Sequence, residues 1–139
     1  MDFHSFGIKI RITRLNVIMT QSAAIAWAKH YVTLSNAYEL VKIKSLFIPE
    51  ATYYSAYFGE YRGRDAIHAM MQNFFSRFPD VHWEVSEYCS IGVDRVEFVF
   101  IMTGTDILSG EHVERYGLER IYFNWDGLIK RIEICKPGE

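Results

Sequence analysis

Apolar and polar residues alternate along the second half of the chain, as they do in strands with one buried face. The alternation predicts four strands, over Val81–Ile91, Arg95–Asp106, Val113–Trp125 and Leu128–Cys135. Short turns separate these strands, and the Asp-Gly pair at 126–127 is a strong hairpin signal. The pattern therefore predicts an antiparallel meander whose apolar face needs a covering layer.

Helical spacing of apolar residues dominates the first half of the chain. A first helix, capped by Thr20 or Ser22, is predicted to end near Ser35 because one stripe repeats at three- and four-residue intervals. That stripe consists of Ala24, Trp27, Tyr31 and Leu34. A second helix is predicted over Glu39–Phe47, and Pro49 is expected to end it.

A short strand over Ala51–Tyr57 and a loop between Gly59 and Gly63 follow, and Arg64–Phe78 has the spacing of a third helix. The order of elements predicts an α+β fold, in which a cone-shaped, barrel-like antiparallel sheet of four or five strands packs on three N-terminal helices. We expect one domain over 19–139, preceded by an N-terminal extension over 1–18 that is either mobile or adds an edge strand.

Composition narrows the class of protein. The chain has 139 residues, of which 50% are hydrophobic and 16% aromatic, enough for a core and an apolar pocket. A net charge of -2 gives no electrostatic reason to expect nucleic acid or an anionic membrane as a partner. Two cysteines, Cys89 and Cys135, predict reduced thiols in a cytoplasmic protein. No apolar run approaches the ~20 residues that span a bilayer.

Three segments together resemble the nuclear transport factor 2-like superfamily, in its SnoaL-like and ketosteroid isomerase-like branch. They are Leu46-Phe-Ile-Pro-Glu-Ala-Thr52 before the first strand, Gly63-Arg-Asp-Ala-Ile67 at the start of the third helix, and Phe123-Asn-Trp-Asp-Gly-Leu-Ile129 at the last turn. The resemblance covers about residues 20–135. It implies a hollow cone that binds a small molecule.

The resemblance also implies roles for individual residues. The tyrosine of the isomerase oxyanion hole falls on Tyr31, and the second oxyanion acid falls on Glu119. The carboxylate that acts as general base falls on Ser55, whose hydroxyl cannot exchange a proton near neutral pH. This departure puts classical steroid isomerisation in doubt.

Three residues are the catalytic candidates, each with a structural alternative. Tyr31 either donates a hydrogen bond to an oxyanion or is a core aromatic residue. Glu119 faces either the cone, where burial would raise its pKa, or the outer surface, where it would pair with an arginine. His82, beside Trp83, is either the pocket base that replaces the missing carboxylate or a structural histidine.

The remaining predictions concern ligands and partners. An apolar cyclic or aromatic molecule is expected to contact Trp27, Tyr53, Ser55, Phe74, Trp83, Phe98, Phe100 and Met102. No metal-ligand spacing or phosphate-binding loop is present in the sequence, so no cofactor is expected. The family resemblance implies a homodimer through the outer face of the sheet, where apolar residues cluster. These are Val99, Ile101, Tyr116, Leu118 and Tyr122.

Two functions remain open at this point. One is a cofactor-independent isomerase, cyclase or dehydratase that acts on an apolar cyclic substrate. The other is a non-catalytic binding or accessory module of the same fold. The sequence names no substrate for either.

Overall fold

A computed structural model describes residues 23–138. Three helices, α1 over 23–36, α2 over Leu40–Lys44 and α3 over Arg64–Arg77, cover one face of a curved sheet. Six strands form that sheet: β1 Phe47–Ser55, β2 Gly59–Arg62, β3 His82–Ile91, β4 Arg95–Thr105, β5 His112–Phe123 and β6 Ile129–Cys135. The predicted α+β architecture is confirmed. The predicted extension over 1–18 and the cap at Thr20 or Ser22 lie outside the described residues.

The strand order is β2-β1-β6-β5-β4-β3, so the sheet is open, with β2 and β3 at its edges, and is not a barrel. Four of the five strand pairings are antiparallel, and the fifth, between β1 and β6, is parallel. This parallel pair and the sixth strand differ from the predicted antiparallel sheet of four or five strands. The difference arises because β1 and β2 extend the meander at its β6 end, and β1 runs in the same direction as β6.

The start of β1 corrects the predicted second helix. The helix ends at Lys44, and Phe47 already pairs with Ile129 of β6. The backbone N–H of Ile129 donates to the carbonyl oxygen of Leu46 at 2.7 Å, which draws this segment into the sheet. Pro49 lies in an irregular part of β1 between Phe47 and Thr52, where the missing N–H breaks no ladder bond.

The segment predicted as a loop between Gly59 and Gly63 is instead the edge strand β2. It pairs with β1 from Gly59 opposite Ser55 to Arg62 opposite Thr52. A four-residue strand is too short to show the alternation that identified the others. The resulting hairpin supports the start of α3 because the N–H of Gly63 donates to the carbonyl oxygen of Ala51 at 2.7 Å.

Strand β4 shows why the helices lie on one side. Every second residue of β4 is buried, from Val96 to Gly104, and these residues face the helices. The main core forms where this face meets α1 and the buried Ile67 and Met71 of α3. Between the helices and the central strands, the core leaves a cavity.

Candidate functional site

The cavity lies on the concave face of the sheet, under α1 and α3, and has a volume of about 60 Å³. One water molecule needs ~10–15 Å³ on this measure, so the space exceeds a packing defect. Phe58, 43% exposed, marks where it reaches solvent. Most of the wall is apolar or aromatic: Val32, Phe58, Met70, Met71, Phe74, Phe75, Trp83, Val85, Phe98, Phe100, Met102 and Ile134. The polar groups are Tyr31, Ser35, Tyr53, Ser55, Tyr57, Arg115 and Glu119.

Glu119 is the ionisable group at the centre of this wall. Its position on β5 places it between Phe98 of β4 and Ile134 of β6, and only 5% of the residue is exposed. Its Oε2 atom is buried without a hydrogen-bond partner among the described residues. Burial raises the pKa of the Glu119 carboxyl to about 8. The carboxyl group can therefore gain or lose a proton near neutral pH.

Two buried tyrosines share the electrostatic environment of Glu119. Tyr31 extends from α1, where its ring meets Phe47 edge-on with centroids 6.3 Å apart. Burial first, and the Glu119 charge second, raise the pKa of Tyr31 well above its ordinary value, while hydrogen bonding with Ser35 opposes the rise. For Tyr53 of β1, burial is again the largest cause of a raised pKa, followed by Tyr31 and Glu119. Both phenols therefore remain protonated and serve as hydrogen-bond donors.

Two serines also belong to the polar part of the wall. Ser55 is only 2% exposed, and its Oγ accepts the backbone N–H of Tyr57 at 3.1 Å. Ser35 donates from its Oγ to the carbonyl oxygen of Tyr31 at 2.9 Å. Both hydroxyls are used for local backbone contacts, and neither has the pKa of a general base.

Arg115 is a cavity residue that the sequence analysis missed. The guanidinium carbon lies 4.9 Å from the ring centroid of Tyr57, 5.1 Å from that of Phe58 and 5.6 Å from that of Phe78. Burial is the largest cause that lowers the pKa of Arg115. Position 115 has the same parity along β5 as position 119, and that signal could have identified it.

The structure brings most of the predicted site residues together. Tyr31 and Glu119 both line the cavity, as do seven of the eight predicted ligand contacts. Those seven are Tyr53, Ser55, Phe74, Trp83, Phe98, Phe100 and Met102.

Two predicted residues lie elsewhere. His82 is exposed on the edge strand β3, opposite Thr103, because its neighbour Trp83 takes the inward position and adjacent strand residues point to opposite faces. Trp27 packs against Phe123, with ring centroids 5.4 Å apart, and against the last turn. It belongs to the core beside the cavity.

Across residues 23–138, no group of three His, Cys, Asp or Glu side chains could hold a metal ion. Within the same part of the chain, no helix has the length and apolar character needed to cross a membrane.

The chain belongs to the SnoaL-like domain family, whose sequence model matches residues 28–132. No curated protein sequence matches it. Solved structures show the same fold at low identity.

A nuclear transport factor 2-like protein of unknown function from Exiguobacterium sp. 255-15 is 20% identical, with a TM-score of 0.71 over 81% of this chain and 99% of that one. SalBIII, an epoxide hydrolase/cyclase-like enzyme with a role in pyran ring formation in the polyether salinomycin, is 15% identical, with a TM-score of 0.76. That match covers 84% of this chain and 92% of SalBIII. A Mycobacterium tuberculosis protein in complex with estradiol-17β-hemisuccinate is 12% identical, with a TM-score of 0.71 over 80% and 91% of the two chains.

Proposed function

We propose that the domain binds a small apolar cyclic molecule in the cavity and moves a proton on it without a cofactor, as an isomerase, cyclase or dehydratase does. The observation that carries this proposal is Glu119, a buried and incompletely hydrogen-bonded carboxyl group whose pKa is about 8, facing an apolar cavity. Groups with such pKa values concentrate at catalytic sites. Ligands named for the structural relatives, including estradiol-17β-hemisuccinate, support a cyclic occupant.

The chemistry needs one acid–base group and one stabiliser of negative charge. Ionised Glu119 takes a proton from a carbon next to a carbonyl group, and the electron pair of the broken C–H bond moves to the carbonyl oxygen. Tyr31 and Tyr53 donate hydrogen bonds to the enolate oxygen, since both phenols keep their protons. Protonated Glu119 then returns the proton to another atom of the ligand. The step is redox-neutral and uses the same carboxyl group twice.

Exchange of α-protons for deuterium in a cyclic ketone tests this proposal without knowledge of the natural substrate. With 2-tetralone in D2O, the protein should accelerate exchange, and Glu119→Gln should abolish the acceleration. Tyr31→Phe should reduce it by about 10²–10³-fold, the usual loss when an oxyanion donor is removed. The control is Glu50→Gln, which changes an exposed carboxylate outside the cavity and should have no effect.

A non-catalytic binding module is the second candidate, and Ser55 favours it. The family resemblance puts a general base at this position, but a hydroxyl bonded to the Tyr57 N–H stands there. If 2-tetralone raises the melting temperature of the protein, but α-proton exchange from pH 5 to 9 is no faster than in buffer without protein, the binding module is the better description. If the ketone neither binds nor exchanges, the proposed small-molecule function is wrong.

Self-association through the outer face of the sheet is also part of the proposal. Val99, Ile101 and Leu118 line a groove there that extends to residues 136–138, on the side opposite the helices. Tyr116, 49% exposed, stands beside them. Light scattering at micromolar concentration should show a dimer, and Leu118→Lys should yield a monomer with an unchanged circular dichroism spectrum. A monomeric wild-type protein would contradict this assembly.

A further inference from the structure

Arg115 has no carboxylate partner among the described residues, whereas two other arginines of the sheet have one. Arg120 pairs with Glu97 at 2.7 Å, and Arg131 pairs with Glu60 at 2.9 Å. The Nη1 atom of Arg115, by contrast, is buried without a hydrogen-bond partner among the described residues. A buried guanidinium nitrogen that has lost its water and gained no acceptor is costly, so this atom is poised to receive one.

Asp106 is the carboxylate that acts electrostatically on Arg115, but its oxygens already accept hydrogen bonds from other groups. Asp106 accepts a hydrogen bond from Arg77 at 2.6 Å and another from the N–H of Leu108 at 2.9 Å. Arg77 itself adds positive potential at Arg115, since it is among the causes that lower the pKa of Arg115. The position opposite Arg115 on β4 is Met102, which offers no acceptor suited to a cation. This end of the cavity therefore keeps an excess of positive charge.

Aromatic rings hold the Arg115 side chain at the cavity mouth. Tyr57, Phe58 and Phe78 all lie within 6 Å of its guanidinium carbon, a distance at which a cation attracts an aromatic ring. The hydroxyl of Tyr57 is fixed in turn by donation to the carbonyl oxygen of Tyr116 at 3.0 Å. The guanidinium is thus held in place before any ligand arrives, and this lowers the entropy cost of binding.

We propose that Arg115 is an anion subsite and that the ligand of the cavity is a cyclic molecule bearing a carboxylate. This inference rests on the small-molecule function proposed above and narrows its ligand class. A planar guanidinium matches the two oxygens of a carboxylate. One guanidinium among aromatic rings suits a single negative charge better than a phosphate dianion, which is usually met by several donors.

The strand also sets the distance between the two polar ends of the site. Arg115 and Glu119 face the same side of β5 four residues apart, so their Cα atoms are roughly 13 Å apart. A ligand anchored through its carboxylate at Arg115 would present its ring system to the apolar wall and its reacting carbon to Glu119. The carboxylate itself would stay away from the Glu119 charge.

A matched pair of probes tests the subsite: 1-naphthaleneacetate and its neutral amide, 1-naphthaleneacetamide, titrated by calorimetry at pH 7. The protein should bind the acid at least about 10-fold more tightly than the amide, as expected for a charge-assisted bond. Arg115→Met keeps the apolar stem of the side chain and should remove the difference while amide binding remains. Arg115→Lys should restore part of it. The control Arg62→Met removes an exposed arginine outside the cavity and should change neither affinity.

Each outcome separates this inference from the proposed function. Equal binding of acid and amide by the wild-type protein, or an acid preference that survives Arg115→Met, overturns the subsite alone. An acid preference together with no α-proton exchange leaves the subsite standing and removes the catalysis. If neither probe binds at millimolar concentration, the subsite is overturned, and the proposed function is decided by the exchange experiment with 2-tetralone. Should Arg115→Met fail to fold, the wild-type acid preference must still fall as NaCl rises, and a preference independent of salt overturns the inference.

Discussion

Gly127 lies directly against the indole ring of Trp27. A Cβ atom at position 127 would stand 2.7 Å from Cε2 and 2.8 Å from Cζ2 of that ring, closer than any ordinary contact. The backbone of Gly127 also has a φ of +79°, which side chains of L-residues rarely adopt. The turn between β5 and β6 is therefore fitted to α1 by the absence of a side chain.

Gly127→Ala should accordingly destabilise the protein by about 2–4 kcal/mol, the sum of a left-handed backbone and a steric overlap. Gly110→Ala is the matched control because Gly110 has a φ of +75° with no atom near its Cβ position. It should cost only the backbone part, ~1–2 kcal/mol. Urea unfolding measures both variants, and equal losses would show that the Trp27 contact contributes nothing.

The second prediction concerns the pH dependence of stability. Below pH 4.5 the Glu119 carboxyl is protonated in the folded and the unfolded chain, so its burial has little cost. As pH rises from 4.5 to about 8, the unfolded chain releases the proton while the folded chain keeps it, and stability falls. The rise in the pKa of Glu119 from 4.5 to about 8 corresponds to a loss of at most about 5 kcal/mol in the free energy of unfolding.

Glu119→Gln removes the ionisation and nearly keeps the shape of the side chain. The variant should match the wild type at pH 4 and exceed it in free energy of unfolding at pH 8 by several kcal/mol, on the order of 3–5. Chemical denaturation at both pH values measures the difference. A constant difference across this range would mean that the carboxyl group titrates normally and is exposed to water in solution.

Strand alternation explains how much of this site could be predicted. Phe98, Phe100, Met102 and Glu119 lie on strands long enough for period-two parity to assign a face, and the helices could cover only one of the two. Tyr31 followed from helical spacing in the same way. Arg115 obeys the same parity, yet a charged residue is expected on the outer face, and only tertiary contacts show that three rings surround it.

Positions beside turns and edges were harder to predict. Trp27 lies on the same helical stripe as Tyr31, but the stripe extends beyond the cavity. Trp27 therefore packs against the turn between β5 and β6 instead of lining the cavity. The start of β1 depended on pairing with β6, more than 80 residues later in the sequence. Local propensity around Pro49 favoured a helix end and carried no information about that distant partner.

A third prediction tests how Gly117 makes room for Phe100, a residue of the cavity wall. A Cβ atom there would stand 2.5 Å from the carbonyl oxygen of Cys135 and 2.8 Å from Cζ of Phe100, which lies opposite on β4. Since the backbone oxygen cannot move without disturbing β6, Gly117→Ala should destabilise the protein by about 3 kcal/mol. Gly104→Ala, another strand glycine, meets its nearest atom at an ordinary 3.4 Å and should be near neutral. Equal effects in urea unfolding would contradict the predicted overlap.

The fourth prediction returns a carboxylate to the place where the family resemblance puts the general base. Ser55→Asp should keep an acceptor for the Tyr57 N–H and add a second acid–base group to the cavity wall. We expect α-proton exchange in 2-tetralone to rise by at least about 10-fold, at the lower end of what a positioned general base contributes. The neutral variant Ser55→Asn has nearly the same shape and should not raise it. Because the new carboxylate is buried near Glu119, Ser55→Asp should also be less stable than Ser55→Asn at pH 8 and equally stable at pH 4. Equal exchange rates in the two variants would show that position 55 cannot present a base to a ligand in this cavity.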